Sequence, residues 1–272
     1  MTSSWRGFAA TQMGSTHRLR GLPNQDAHGV GSSGGSVAAV VADGHGHRSH
    51  FRSGDGSHIA VQTFLELFSQ LPPDDLDAEA LRRALLDLSA PLVRQWRQRV
   101  VEDSLARPFL DDEAQWLGGD SEQDRVVAYG STVVAVVATA DALGFLQLGD
   151  GDAVLAFGDG EVLRPLPEDP RLDGVRTTSL CQEDALSSLR VSAVDVAARP
   201  VSLAFVSTDG FGASRLDADG WWRQVGAELG GHLGAHGPDW VESRLADWLV
   251  EPAEVGGDDT TVAVVVPDGS RG

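Results

Sequence analysis

Apolar stretches that meet an aspartate at one end constrain this chain more than any other feature. "SVAAVVAD" runs into Asp43-Gly44, and "VSLAFVSTDGFG" runs into Asp209-Gly210. "TTVAVVV" starts directly after Asp258 and Asp259, and Asp26 stands in "NQDA" in the first polar segment. Short β-branched runs of this length read as strands, so four separate segments each place a carboxylate at a strand end, where a charge must be solvated or paired. Asp-Gly ordinarily marks a hairpin turn, and Asp159-Gly160 between "VLAF" and "EVLRPL" reads that way. Asp43-Gly44 does not, because a polar stretch and a helical pattern follow it rather than a returning strand. If these strand ends converge, mutual repulsion raises the carboxyl pKa values and costs stability. A hard divalent cation removes that cost, and carboxylate, carbonyl and water ligation suits Mg²⁺ or Mn²⁺. Gly44 suits such a site because its carbonyl can approach an ion without side-chain obstruction.

The remaining segments set the fold class. "SWRGFAATQMG" reads as a strand and "STHRLRGLPNQDA" as a polar loop. Ile59, Thr63, Phe64, Leu67 and Phe68 share one helical face, with Pro72 ending the segment. Leu81, Leu85, Leu88, Leu92 and Trp96 repeat at steps of three and four, predicting helix over 76–101 with a kink or a junction of two helices near Ser89, ahead of Pro91. Residues 102–128 read as a long connection. "STVVAVVATA", "LGFLQLGD" and "DAVLAFGDG" predict a meander of three antiparallel strands, in which "LGDGDA" would be a hairpin turn. "LRVSAVDV" and "VSLAFVS" add strands, and residues 238–250 a helix. Strands and helices do not alternate regularly, so a single α+β domain over 1–272, two sheets flanked by helices, is favoured over a doubly wound sheet.

Composition narrows the partners. The formal charge is -19, and all 21 basic residues are arginines. Such a balance repels nucleic acid and anionic membrane surfaces. The chain shows no apolar run of membrane-spanning length and no secretory signal pattern, which predicts a soluble cytoplasmic protein. The single cysteine, Cys181, excludes a disulfide framework and a multi-cysteine zinc site, and reads as buried filler.

Six motifs then occur in order across nearly the whole chain: "NQDA" (24–27), "VADGHG" (41–46), "GST" (130–132), "LGDGDA" (148–153), "STDGF" (207–211) and "DDTTVAVV" (258–265). Together they resemble the metal-dependent type 2C protein phosphatases, specifically their bacterial branch. The resemblance implies two antiparallel β-sheets packed as a sandwich and flanked by helices, an α-β-β-α arrangement with a metal centre at one end. By the same likeness Asp43 would bridge two Mg²⁺ or Mn²⁺ ions, with Gly44 supplying a carbonyl and Asp209 and Asp258 completing the first ion's ligands. Asp26 would serve the second ion directly or through water, and Asp150 a third, weaker ion. A water activated between the cations would attack phosphoserine or phosphothreonine, and His45 is similar to the histidine that gives the leaving alkoxide its proton. The implied partner is a phosphorylated protein, paired with a serine/threonine kinase. An arginine fork for phosphate is expected just before "NQD", where Arg18 and Arg20 stand, about a residue out of register. Gln25 stands where many relatives have glutamate, "GDGD" replaces "GDSR", and His47 replaces a glycine. A non-catalytic module that binds a phosphorylated partner and a hydrolase of small phosphate esters are the alternative readings, since specificity lies in loops.

Overall fold

A strand covered on both faces needs apolar side chains at every position rather than at every second one. The continuous runs in the sequence are strands of that kind. The computed structural model describes residues 5–72, 76–172, 177–213 and 220–268. Its strands are β1 (Trp5–Gln12), β2 (Ala27–Ser33), β3 (Ser36–Ala42), β4 (Val133–Ala138), β5 (Ala142–Leu148), β6 (Asp152–Phe157), β7 (Val162–Leu163), β8 (Arg190–Asp195), β9 (Val201–Ser207) and β10 (Thr260–Pro267). Its helices are α1 (Ser15–Arg20), α2 (Ser53–Phe68), α3 (Ala78–Ala106), α4 (Asp111–Ala114), α5 (Glu122–Val127), α6 (Ala185–Ser188), α7 (Asp209–Ala213), α8 (Trp221–His236), α9 (Pro238–Trp248) and α10 (Val250–Gly256).

Two five-stranded antiparallel sheets result, in the orders β1-β10-β9-β6-β7 and β2-β3-β4-β5-β8. Val37, Ala39 and Val41 of β3 point into the space between the sheets, where they meet Leu155, Val206 and Val265. Ala38, Val40 and Ala42, the alternate residues, face Phe64, Leu85 and Trp96 of the α2–α3 layer. On the far side, Phe205 and Val264 pack on Trp221, Val225 and Leu229 of α8 and Leu245 of α9. The architecture is the α-β-β-α sandwich expected.

Several local expectations change. The predicted meander breaks after its first hairpin: β4 and β5 pair, but β6 joins the opposite sheet beside β9. Gly149-Asp150-Gly151 is therefore a crossover between sheets, and Gly149 takes a φ of 112°, which suits a residue without a Cβ. Asp159-Gly160 does turn β6 back into β7. Helix α3 runs unbroken from Ala78 to Ala106, although Pro91 cannot donate to the carbonyl of Asp87. Buried Leu88 and Leu92 on either side of Pro91 hold the helix on the sheet, and Trp96 Nε1 donates to the Gly56 carbonyl at 2.9 Å. The stretch read as a polar loop before Asp26 contains α1, closed by Gly21 in the left-handed region (φ 68°). The connection at 102–128 holds the last turns of α3 together with α4 and α5.

Candidate metal centre

The sandwich brings one end of several strands together, and the aspartates sit at that end. Asp43 follows β3, Asp209 follows β9, Asp258 precedes β10, Asp26 precedes β2, and Asp150 lies in the crossover from β5 to β6. Oxygens of Asp43, Asp150 and Asp209 lie within 4.8 Å of one another. These three, with Asp258, Gly44 and His45, line a cleft of about 430 Å³. Asp26 is buried behind it and bears electrostatically on Asp43.

The "GST" and threonine-rich motifs explain how the acids are held. Thr132 takes Asp43 from both sides: its Oγ1 accepts the Asp43 N–H at 3.0 Å, and its own N–H donates to the Asp43 carbonyl at 2.9 Å. Gly44 bridges to Ser131, and the His45 N–H donates to the Gly130 carbonyl at 3.1 Å. Thr208 Oγ1 donates to Asp26 Oδ2 at 2.8 Å and accepts the Thr261 N–H at 3.0 Å, which ties three of the segments together. Thr177 Oγ1 donates to Asp150 Oδ1 at 2.7 Å.

A further acid does structural duty. Asp259 is 2% exposed and accepts from the N–H groups of Gly14 (2.8 Å) and Gln25 (2.6 Å) and from His17 Nδ1 (2.7 Å). His17 Nε2 in turn lies 3.7 Å from Asp258 Oδ1. His17 thus links the buried carboxylate to the cleft carboxylate. We expect His17→Ala to cost about 1–3 kcal/mol, because it strips a partner from a buried charge. The check is the urea midpoint, which should fall with an unchanged m-value.

The carboxyl groups of the cleft are buried and crowd one another. Burial, with Asp209, Asp26, Asp258 and Asp150 adding repulsion, holds the Asp43 carboxyl well above the usual carboxylate range. Burial pushes Asp26 up to about 8 against hydrogen bonds from Thr261 and Thr208, and pushes Asp209 up to about 7 with help from Asp150 and Asp258. Asp258 is raised too, although its side chain is 53% exposed. A donor set made of oxygens only, in negative surplus, fits a hard divalent cation and not zinc or copper. Gly44 adds to the fit: a Cβ there would lie 2.6 Å from the Gln25 carbonyl oxygen and 2.7 Å from Ser53, so only glycine lets this turn pack so closely.

The sequence profile of "Protein phosphatase 2C" matches residues 13–250. The chain belongs to that family. It is thereby a serine/threonine protein phosphatase of the type that uses Mg²⁺ or Mn²⁺. Solved structures agree in fold. A bacterial serine phosphatase superposes with a TM-score of 0.65 at 12% identity, covering 99% of this chain and 100% of that one. The S. agalactiae serine/threonine phosphatase gives 0.63 at 18%, covering 97% and 100%. The catalytic domain of the phosphatase PstP, solved with two manganese ions, gives 0.58 at 19%, covering 97% and 99%. Among curated proteins none matches the chain in sequence.

Within this family frame the predicted site residues divide. Asp43, Gly44, Asp150, Asp209 and Asp258 share the cleft, and His45 lines it. Arg18 and Arg20 do not reach it. Arg18 is exposed on α1 and bound to Glu254 and the Met13 carbonyl, and Arg20 is exposed on the same helix. The turn of α1 sends these arginines outward and His17 inward, so the basic group that this segment presents to the acids is an imidazole. Among the described residues no arginine lines the cleft. His45 lies in an enclosed part of the cleft wall. Its Nε2 is shut off from solvent without a partner, its ring packs edge-on to His50 at 5.0 Å, and burial, with the neighbouring His50 adding to it, drives its pKa down to about 3. A ring neutral at pH 7 offers one N–H but not the extra proton of an imidazolium. Sequence reasoning missed the second cleft wall, formed by Thr177, Ser179, Cys181 and Gln182. Ser179 Oγ and the Leu180 N–H bind the Ser131 carbonyl, so this wall rests on the "GST" motif.

Proposed function

We propose that the cleft is the active site, with Asp43, Asp209, Asp258 and the Gly44 carbonyl holding one Mg²⁺ or Mn²⁺, Asp43 and Asp26 serving a second, and Asp150 a third. The observation that carries this reading is the convergence of three carboxylate oxygens within 4.8 Å on the floor of a cleft, in a chain of this family. When bound, such cations lower the pKa of water and stabilise charge on a transferring phosphoryl group. The protein's own contribution is positional. Thr132 fixes the Asp43 backbone, Thr208 fixes Asp26, and the His17–Asp259 pair fixes the segment that carries Asp258. His45 lines the cleft beside Asp43 and Gly44 and is the histidine placed nearest to serve the leaving oxygen. Cys181 is buried with its pKa raised, so no thiolate competes as nucleophile.

The substrate in this reading is phosphoserine or phosphothreonine in a protein, opposing a serine/threonine kinase in the cytoplasm. No helix among the described residues is long and apolar enough to cross a membrane. The pairing of β1 with β10 joins both ends of the chain in one sheet, which supports a single domain over 1–272. With Mn²⁺, phosphothreonine peptides should exceed p-nitrophenyl phosphate in kcat/KM. Equal or better turnover of the small ester would favour an ester hydrolase, and Mn²⁺ binding without turnover of either would favour a phosphate-binding module.

A further inference from the structure

A second groove of about 500 Å³ adjoins the catalytic cleft and shares Gly46, His47 and His50 with it. Its cations are unequally committed. Arg52 is consumed internally, by Glu113, the Tyr129 hydroxyl and the carbonyls of Arg107 and Pro108. Asp55, the acid of this groove, is paired with Arg107 at 2.9 Å. Arg48 is different. It is exposed, and among the described residues it has neither an ion pair nor a hydrogen bond, in a chain carrying 40 acidic residues. What it has is a platform: its guanidinium carbon lies 4.4 Å from the ring centre of Trp116, itself 39% exposed, in the connection between α4 and α5. Stacking on an indole restrains the guanidinium while leaving its N–H donors free in the plane, the geometry that grips a carboxylate with two parallel hydrogen bonds. Arg48 stands five positions after Asp43, so their Cα atoms are at most about 18 Å apart, the span of about five residues of extended peptide.

We propose that this groove receives the substrate segment flanking the phosphoresidue, and that Arg48, held by Trp116, selects an acidic side chain there. The inference rests on the phosphatase reading of the cleft and adds a sequence preference to it. A local free cation has particular value here, because a chain of charge -19 otherwise repels an acidic phosphopeptide.

The test is a set of phosphothreonine peptides in which a glutamate is moved through each of the positions flanking the phosphoresidue, each compared with its glutamine counterpart under Mn²⁺. The readout is the ratio of kcat/KM between the two, taken within one enzyme preparation so that general losses cancel. The wild type should prefer glutamate by about tenfold at one flanking position, the size of a charge-assisted hydrogen bond. The ratio should fall close to one in Arg48→Ala, and to an intermediate value in Trp116→Ala and Arg48→Lys. A wild type indifferent to glutamate at every position, or an Arg48→Ala enzyme with the full preference, overturns the proposal while leaving the phosphatase intact. No turnover of any peptide overturns the phosphatase reading, and this inference with it.

Discussion

Asp43→Asn and Asp209→Asn should each lower kcat/KM on a phosphothreonine peptide by on the order of a thousandfold, beyond the roughly 10- to 100-fold that follows loss of an outer-shell partner. The same substitutions should raise the melting temperature of the metal-free protein by a few degrees. The two effects have one origin. Burial and neighbouring carboxylates oppose the ionisation of Asp43 and Asp209, so a neutral amide relieves the fold while removing a ligand. This is the stability–activity trade expected where strain serves function. Steady-state kinetics and thermal unfolding in EDTA check the pair of effects. Wild-type turnover in either variant, or a large drop in metal-free stability, would remove that residue from the ligand set.

The second large effect concerns pH. Asp26 and Asp209 have folded-state pKa values of about 8 and about 7, above the unfolded value of about 3.9. Between those limits the folded, metal-free protein binds more protons than the unfolded chain. Its stability is therefore highest at the acid end of that window and falls as pH rises from about 4 to about 8. A cation must displace the same protons, so its apparent affinity rises across the upper part of the window. At pH 8 and about a hundred times its dissociation constant, Mn²⁺ should stabilise the fold by about 2.7 kcal/mol, roughly 5–10 °C in Tm for a chain of this size. The gain should shrink toward pH 5. Melting curves with Mn²⁺ or EDTA across this range provide the check, and a gain independent of pH would show that the ion binds elsewhere.

Most of the proposed metal centre is legible because each of its acids stands beside an apolar strand or within a short motif whose order is informative. The fold was legible for the same reason, as β3, β4, β9 and β10 are continuous apolar runs. What escaped depends on geometry that spacing does not encode. Asp150 lies in a stretch that looks like a hairpin turn, and a crossover between sheets has the same Asp-Gly punctuation as a turn within one. Arg18 and Arg20 lie outside the cleft because "STHRLR" is a helix rather than a loop, and only its phase decides which of His17, Arg18 and Arg20 points inward. Helix α8 went unread although Trp221, Val225 and Leu229 recur every four residues, because Gly226, Gly230, Gly231 and Gly234 depress its helix propensity. Strand β2, "AHGVGSS", was hidden by its glycines and its largely exposed alternate positions.

The central claim is that a carboxylate-held divalent cation makes this cleft a protein phosphatase. It is tested most directly by following hydrolysis of one phosphothreonine peptide with Mn²⁺, after removal of the metal by EDTA, and after Mn²⁺ is restored. The account predicts turnover that disappears with the metal and returns with it. Turnover that persists in the stripped protein would contradict it.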